Sequence, residues 1–117
     1  MKYPSTDDFL EEFGIEPVEV DPTLALSLYR VKSRSGDVEV DVSFSVVMGS
    51  FEVVLKVSGQ ELATVSSESV KTIELVRDEQ GAGVRVIFDI RDSLSEARVL
   101  FEPDVSFRWW TLSGVRR

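Results

Sequence analysis

Apolar and polar residues alternate along most of the chain from residue 24 onward. The clearest run is VEVDVSFSV at 38–46, in which every second residue is apolar and the residues between are acids or serines. A period of two is typical of a strand with one face buried and the other in solvent. The same period recurs in four further runs, at 24–32, 51–58, 84–91 and 105–112. We therefore predict an antiparallel β body over residues 23–117.

The first 22 residues follow a different pattern. Ser5 can cap a helix, Asp8 stands at the capping-box position, and Gly14 is a typical helix end. These residues predict a short helix over about 6–13. The run IEPVEVDP at 15–22 contains two prolines and favours an extended edge strand or arm.

Three stretches interrupt the alternation. Val70 is out of phase with the run that follows it, which indicates a β-bulge or a fresh strand start. The segment DEQGAG at 78–83 predicts a loop, and DSLSEA at 92–97 predicts a single helical turn. Together these features predict an α+β, mainly β fold in one domain, 1–117. We expect one N-terminal helix with about seven or eight short strands, arranged as an antiparallel sheet or a sandwich.

Acidic residues concentrate at the N-terminus. Residues 1–21 hold seven acids and one base, which accounts for −6 of the formal net charge of −8, and the other 96 residues hold 14 acids and 12 bases. Such a field repels nucleic acid and anionic lipid and attracts basic partners. We therefore expect no nucleic-acid or membrane partner. A simpler explanation stays open, since acids in a first helical turn also complement the helix dipole and aid solubility.

The composition argues against catalysis. Histidine and cysteine are both absent, which excludes Ser–His–Asp triads, Cys–His dyads and the usual zinc sites. Glycoside hydrolases use a pair of carboxylates. The nearest candidates in this chain are Glu102 with Asp104 and Asp89 with Asp92. Among 21 acids, however, such pairs arise by chance. We expect no enzymatic activity, no metal and no cofactor. The absence of cysteine and of an apolar signal segment favours the cytoplasm.

The pair Trp109–Trp110 lies in the predicted strand 105–112, where adjacent side chains point to opposite faces. We expect Phe107 and Trp109 to enter the core. The favoured position for Trp110 is beneath the N-terminal helix. The alternative leaves Trp110 on an open face beside Arg108, and these two residue types are enriched at binding hot spots.

The chain is small, acidic, rich in predicted strands and free of cysteine. Two stretches carry this character, the acidic segment DDFLEEFGIEPVEVD and the closing run PDVSFRWWTL. In this it resembles the small acidic immunity proteins of bacterial toxin systems, including those of contact-dependent inhibition. The resemblance implies a cytoplasmic inhibitor that binds one cognate toxin, often a basic nuclease. The residues that we predict to contact the partner are Asp7, Asp8, Glu11, Glu12, Glu16, Glu19, Arg108 and Trp110.

Two other functions remain open from the sequence. A ligand- or carbohydrate-binding β domain would use Trp110 together with an acidic rim. A structural subunit would use an uncovered sheet face to form a homodimer.

Overall fold

The computed structural model describes residues 3–90 and 93–112, and for Leu112 it describes the backbone alone. Within these ranges the chain forms one helix, α1 (Thr6–Phe13), and nine strands. The strands are β1 (Glu19–Asp21), β2 (Leu26–Lys32), β3 (Val38–Ser45), β4 (Ser50–Val57), β5 (Gln60–Ser67), β6 (Val70–Asp78), β7 (Gly81–Ile90), β8 (Ser93–Glu102) and β9 (Ser106–Leu112).

The strands form two antiparallel sheets in which each strand pairs with the next along the chain. The first sheet has the order β1-β2-β3-β4-β5, and the second has the order β6-β7-β8-β9. Their inner faces share one hydrophobic core, in which Phe51 of β4 meets Phe88 of β7 edge-on at 6.1 Å between ring centroids. The predicted mainly β fold with one N-terminal helix is therefore confirmed, and it is a sandwich.

The helix begins and ends where the sequence predicts. The Ser5 backbone N–H donates to Asp8 Oδ2 at 2.8 Å, and the Asp8 backbone N–H donates to Ser5 Oγ at 3.1 Å. These two bonds form a capping box. Gly14 ends the helix with φ of 69°, a left-handed conformation that glycine adopts without steric cost.

Helix α1 contacts both sheets. Phe9 is fully buried and stacks on Tyr29 of β2, with 4.0 Å between the ring centroids. Phe13 meets Phe101 of β8 edge-on at 5.2 Å. Burial raises the pKa of Tyr29 to about 12, because a phenolate has no water around it there. The apolar stripe of the helix therefore completes the core between the sheets.

Most of the alternating runs behave as predicted. Val40, Val42 and Phe44 of β3 are buried, whereas Val46 lies exposed in the turn after the strand. The irregular pairing predicted at Val70 is present as a register shift before Thr72. The predicted edge strand in 15–22 is β1, which brings the strand number to nine among the described residues.

Two local predictions are wrong. The segment 78–83 is not a loop, because β6 runs to Asp78 and β7 begins at Gly81, so only two residues connect them. Gly83 lies inside β7 for a steric reason, since a Cβ there would clash with the Val99 carbonyl oxygen. Residues 93–97 form strand rather than a helical turn, because Ser95 pairs with β7 on one side and with β9 on the other. Asp92 lies outside the described residues.

No helix among the described residues is long and apolar enough to cross a membrane.

Candidate functional site

The predicted acidic residues of the N-terminal segment are all exposed, but they fall into two groups. Asp8 and Glu12 have partners within the fold. The other four form no hydrogen bond or ion pair with the described residues; they are Asp7, Glu11, Glu16 and Glu19. We call these four the free acids. Their charges are available to a partner molecule.

Asp8 acts within the helix itself. The hydrogen bond from the Ser5 backbone N–H, with a smaller contribution from the Ser5 side chain, lowers the pKa of Asp8. The carboxylate therefore stays charged and keeps the first helical turn closed.

Glu12 joins the helix to the second sheet. Arg77 Nε of β6 donates to Glu12 Oε1 at 2.7 Å, and Arg77 Nη2 donates to the Glu12 carbonyl oxygen at 3.2 Å. The same guanidinium reaches Glu102 Oε1 at 3.2 Å. The hydrogen bond to Glu12, followed by that to Glu102, raises the pKa of Arg77. Glu12 thus positions the helix rather than presenting a free charge.

A groove separates the helix from strand β6. Its volume is about 450 Å³, and it is lined by Tyr3, Pro4, Asp8, Glu11, Glu12, Ile73, Glu74 and Leu75. Four of these eight residues are acidic, so the acidic surface of the helix continues onto the edge of the second sheet.

Trp110 does not lie beneath the helix, so the favoured prediction for this residue is wrong. The two phenylalanine rings of α1 contact Tyr29, Phe44 and Phe101 instead. The physical reason is that α1 fills the space between the sheets, whereas Trp110 is on the outer face of the second sheet. Trp109 enters the core as predicted and stacks on Phe88 at 4.5 Å.

Arg108 and Trp110 form one unit on that outer face. The guanidinium carbon of Arg108 lies 5.3 Å from the centroid of the Trp110 ring, which is within cation–π range. Beside them is a cavity of about 460 Å³, lined by Asp78, Glu79, Gln80, Arg98, Arg108 and Trp110. The Gln80 backbone N–H, and then Arg98, lower the pKa of Asp78. The alternative prediction, in which Trp110 stands beside Arg108, describes this arrangement.

A network of arginines and carboxylates lies between the strand position of Trp110 and the groove beside the helix. Glu96, which is buried, lies opposite Trp110 in register. Arg85 contacts Glu96 Oε2 at 3.1 Å and Glu74 Oε1 at 2.6 Å. The hydrogen bond to Glu96 is the main cause that raises the pKa of Arg85. Glu74 also lines the groove beside the helix.

The two predicted groups of contact residues lie on β9 and on the N-terminal segment. Three strand spacings separate β9 from β6, a distance of about 14 Å. Helix α1 is attached to β6 through the ion pair of Glu12 with Arg77.

The sequence reasoning missed the ion pairs on the outer faces of the sheets. On the first sheet, Asp41 accepts hydrogen bonds from Arg30 at 2.8 and 3.0 Å and from Lys56 at 3.0 Å. The sequence contains the information needed to predict the pair of Arg30 with Asp41, because a hairpin that turns at 33–37 places these two residues opposite each other.

Comparison with known proteins gives one informative match. No protein-family model and no curated protein matches the chain. Among solved structures, a chain of a contact-dependent growth inhibition toxin–immunity protein complex from Klebsiella pneumoniae 342 matches with a TM-score of 0.86. The match covers 95% of this chain and 96% of that chain, at 22% sequence identity. The two chains share one fold. This finding confirms, at the level of the fold, the resemblance drawn from the sequence.

The carboxylates of this chain are its candidates for metal binding and for paired-carboxylate chemistry. The described residues contain no group of three or more His, Cys, Asp or Glu side chains that could hold a metal ion. Glu102 is bonded to Arg77, and Asp104 accepts the backbone N–H of Arg34 at 3.0 Å. These carboxylates hold loops and strands together.

Proposed function

We propose that this chain is an immunity protein, which binds the toxin domain of a contact-dependent growth inhibition system and neutralises it in the cytoplasm. The observation that carries the proposal is the shared fold across nearly the whole length of a chain from such a complex. That likeness favours neither a carbohydrate-binding role nor a self-associating structural role.

The residue types support the inhibitor side of such a complex. A toxin that cleaves nucleic acid requires a group that transfers protons or activates a nucleophile near neutral pH, and histidine is the most common choice. The chain has no histidine and no cysteine. It has instead an acidic surface, which complements a basic enzyme. These features support the role of inhibitor.

The free acids supply the proposed attraction. Asp7, Glu11, Glu16 and Glu19 are exposed and unpaired within the described residues. Acidic charge of this kind resembles a phosphate backbone and speeds the encounter with a basic partner more than it adds affinity. We therefore propose that the partner surface is basic and that these acids steer it.

Trp110 and Arg108 supply a proposed second contact. A standard interface buries about 800 Å² on each partner, which corresponds to a patch about 32 Å across. The separation of about 14 Å between β9 and β6 fits within such a patch. We therefore propose that the toxin domain which contacts Trp110 and Arg108 also extends across β6 towards the helix.

The proposal is tested with the toxin domain encoded beside the gene for this chain. We expect the two purified proteins to form a one-to-one complex with a Kd in the nanomolar range, about 10⁻⁹ M. Co-expression should restore growth to cells that produce the toxin domain. A toxin domain from an unrelated system is the control, and it should not be bound. Absence of both binding and protection with the encoded toxin would contradict the proposal.

A further inference from the structure

A second groove lies on the other side of the helix, between α1 and strand β1. Its volume is about 420 Å³, and it is lined by Thr6, Asp7, Leu10, Glu16, Pro17 and Val20. It is separate from the groove beside β6 and from the cavity beside Trp110, because it shares no lining residue with either. We call it the β1 groove.

The floor of the β1 groove is apolar and exposed. Leu10 is 47% exposed and Val20 is 52% exposed, and nearby Val18 is 55% exposed. Phe9, the residue before Leu10 in the helix, is fully buried, so the two apolar side chains lie in different environments. Exposed apolar side chains that cluster, rather than occurring singly, are typical of a surface that a partner covers.

The rim of the β1 groove is acidic. Asp7 and Glu16 line it, and neither has a partner among the described residues. Residues 3–21 contain no lysine or arginine. An apolar centre surrounded by charged groups is the usual composition of a protein interface.

We propose that the β1 groove is the docking site for a basic segment of the toxin domain, which places an apolar side chain against Leu10 and Val20. This inference rests on the proposed function. Charge complementarity selects the occupant, because lysines or arginines flanking the apolar side chain would face Asp7 and Glu16. The same charge opposes nucleic acid and anionic lipid.

The apolar contact is tested with the double variant Leu10→Asn/Val20→Thr. Both side chains are about half exposed, so the fold should persist, which circular dichroism and urea unfolding will check. We expect affinity for the encoded toxin domain to fall at least about tenfold, mainly through faster dissociation. The matched control is Val47→Thr/Leu62→Asn, whose side chains are 62% and 60% exposed away from the groove. We expect the control to bind within about twofold of the wild type.

The acidic rim is tested with Asp7→Asn/Glu16→Gln, because both side chains line the groove. We expect slower association with the toxin domain and a weaker dependence of the association rate on salt. Asp37→Asn/Glu68→Gln is the matched control, because it removes two exposed acids remote from the groove. The control should leave the association rate near that of the wild type.

The outcomes separate the inference from the proposed function. If the wild type binds the toxin domain and the Leu10→Asn/Val20→Thr variant binds equally well, the inference is wrong and the proposed function stands. If the wild type does not bind, the proposed function fails. A peptide assay then tests separately whether the β1 groove binds a basic segment with apolar side chains.

The peptide assay compares three labelled peptides by fluorescence anisotropy: one alternating lysine with leucine, one lysine with serine, and one glutamate with leucine. We expect the lysine–leucine peptide to bind at least about tenfold more tightly than the others. The groove variant should lose that preference. Equal binding of all three peptides, or an unchanged preference in the variant, would overturn the inference.

Discussion

Acidic side chains occupy two contrasting settings in this molecule, the outer faces of the sheets and the N-terminal segment. On the first sheet, Asp41 has a side chain only 8% exposed and accepts hydrogen bonds from Arg30 and Lys56. In the N-terminal segment, the free acids are exposed and have no partner among the described residues. The same chemical group is therefore placed once inside an ion-pair network and once where no described residue pairs with it.

The difference teaches that the role of a carboxylate depends on its neighbours across the fold. A paired carboxylate stabilises the native state, because its charge is compensated and hydrogen-bonded. Neighbouring unpaired carboxylates repel one another, so they contribute little or negatively to stability. We expect substitutions of the sheet acids to affect folding and substitutions of the free acids to affect binding.

The largest expected effect is that of Asp41→Asn. The substitution removes a charge that two cations surround, so we expect the free energy of unfolding to fall by about 2–3 kcal/mol. This loss is less than that of a fully buried pair, because Arg30 is partly exposed. Urea unfolding measures it. The control Asp37→Asn removes an exposed acid from a turn and should change the unfolding free energy by less than about 0.5 kcal/mol. Equal stability of the two variants would contradict the stabilising role that we assign to the ion pairs of Asp41.

The pH dependence of stability sharpens the same comparison. The hydrogen bond from Arg30, followed by that from Lys56, lowers the pKa of Asp41 in the folded chain. A carboxyl whose folded pKa is below its unfolded pKa contributes stability above the unfolded value, about 3.9, and this is lost as the pH falls through the folded value. The unfolding free energy should therefore decrease below about pH 4. In Asp41→Asn the decrease should be shallower, and an identical pH profile would argue against the assigned role.

An intermediate effect is expected at the helix start. Ser5→Ala removes the hydroxyl that accepts the Asp8 backbone N–H, which should cost about 1 kcal/mol of stability. Ser66→Ala is the control, because Ser66 is exposed in β5 and its side chain forms no hydrogen bond with the described residues. A larger loss in the control than in Ser5→Ala would show that the cap is not needed.

The smallest expected effect on stability is that of neutralising all the free acids together. The variant Asp7→Asn/Glu11→Gln/Glu16→Gln/Glu19→Gln should have a free energy of unfolding within about 0.5 kcal/mol of the wild-type value, or slightly higher. The reason is that no ion pair among the described residues is broken. Thermal and urea unfolding measure this. A clear loss of stability would mean that these side chains support the fold.

The local elements could largely be predicted from the sequence. The capping box at Ser5 and Asp8 fixes where the helix starts, and the period of two in 38–46 reveals β3, because both signals lie within a few neighbouring residues. The failure at 92–97 has a tertiary cause. Its composition suits a helical turn, yet pairing of Ser95 with strands on both sides stabilises an extended backbone.

The surface was less predictable than the elements. The alternation correctly separates Trp109 from Trp110, but it does not show that the helix packs between the two sheets rather than over Trp110. Likewise, the sequence shows that Glu12 is acidic but not that Arg77, 65 residues away, neutralises it. Such contacts depend on how distant segments pack, and this information is not carried by a local pattern.

The most direct test is the association rate of the encoded toxin domain with the wild type and with the variant that lacks the free acids, measured at about 50 mM and 500 mM salt. For the wild type we expect the rate constant to fall at least about tenfold at the higher salt. The variant should associate slowly at both concentrations, with little dependence on salt. If the two proteins associate at the same rate with the same salt dependence, the free acids do not steer the partner.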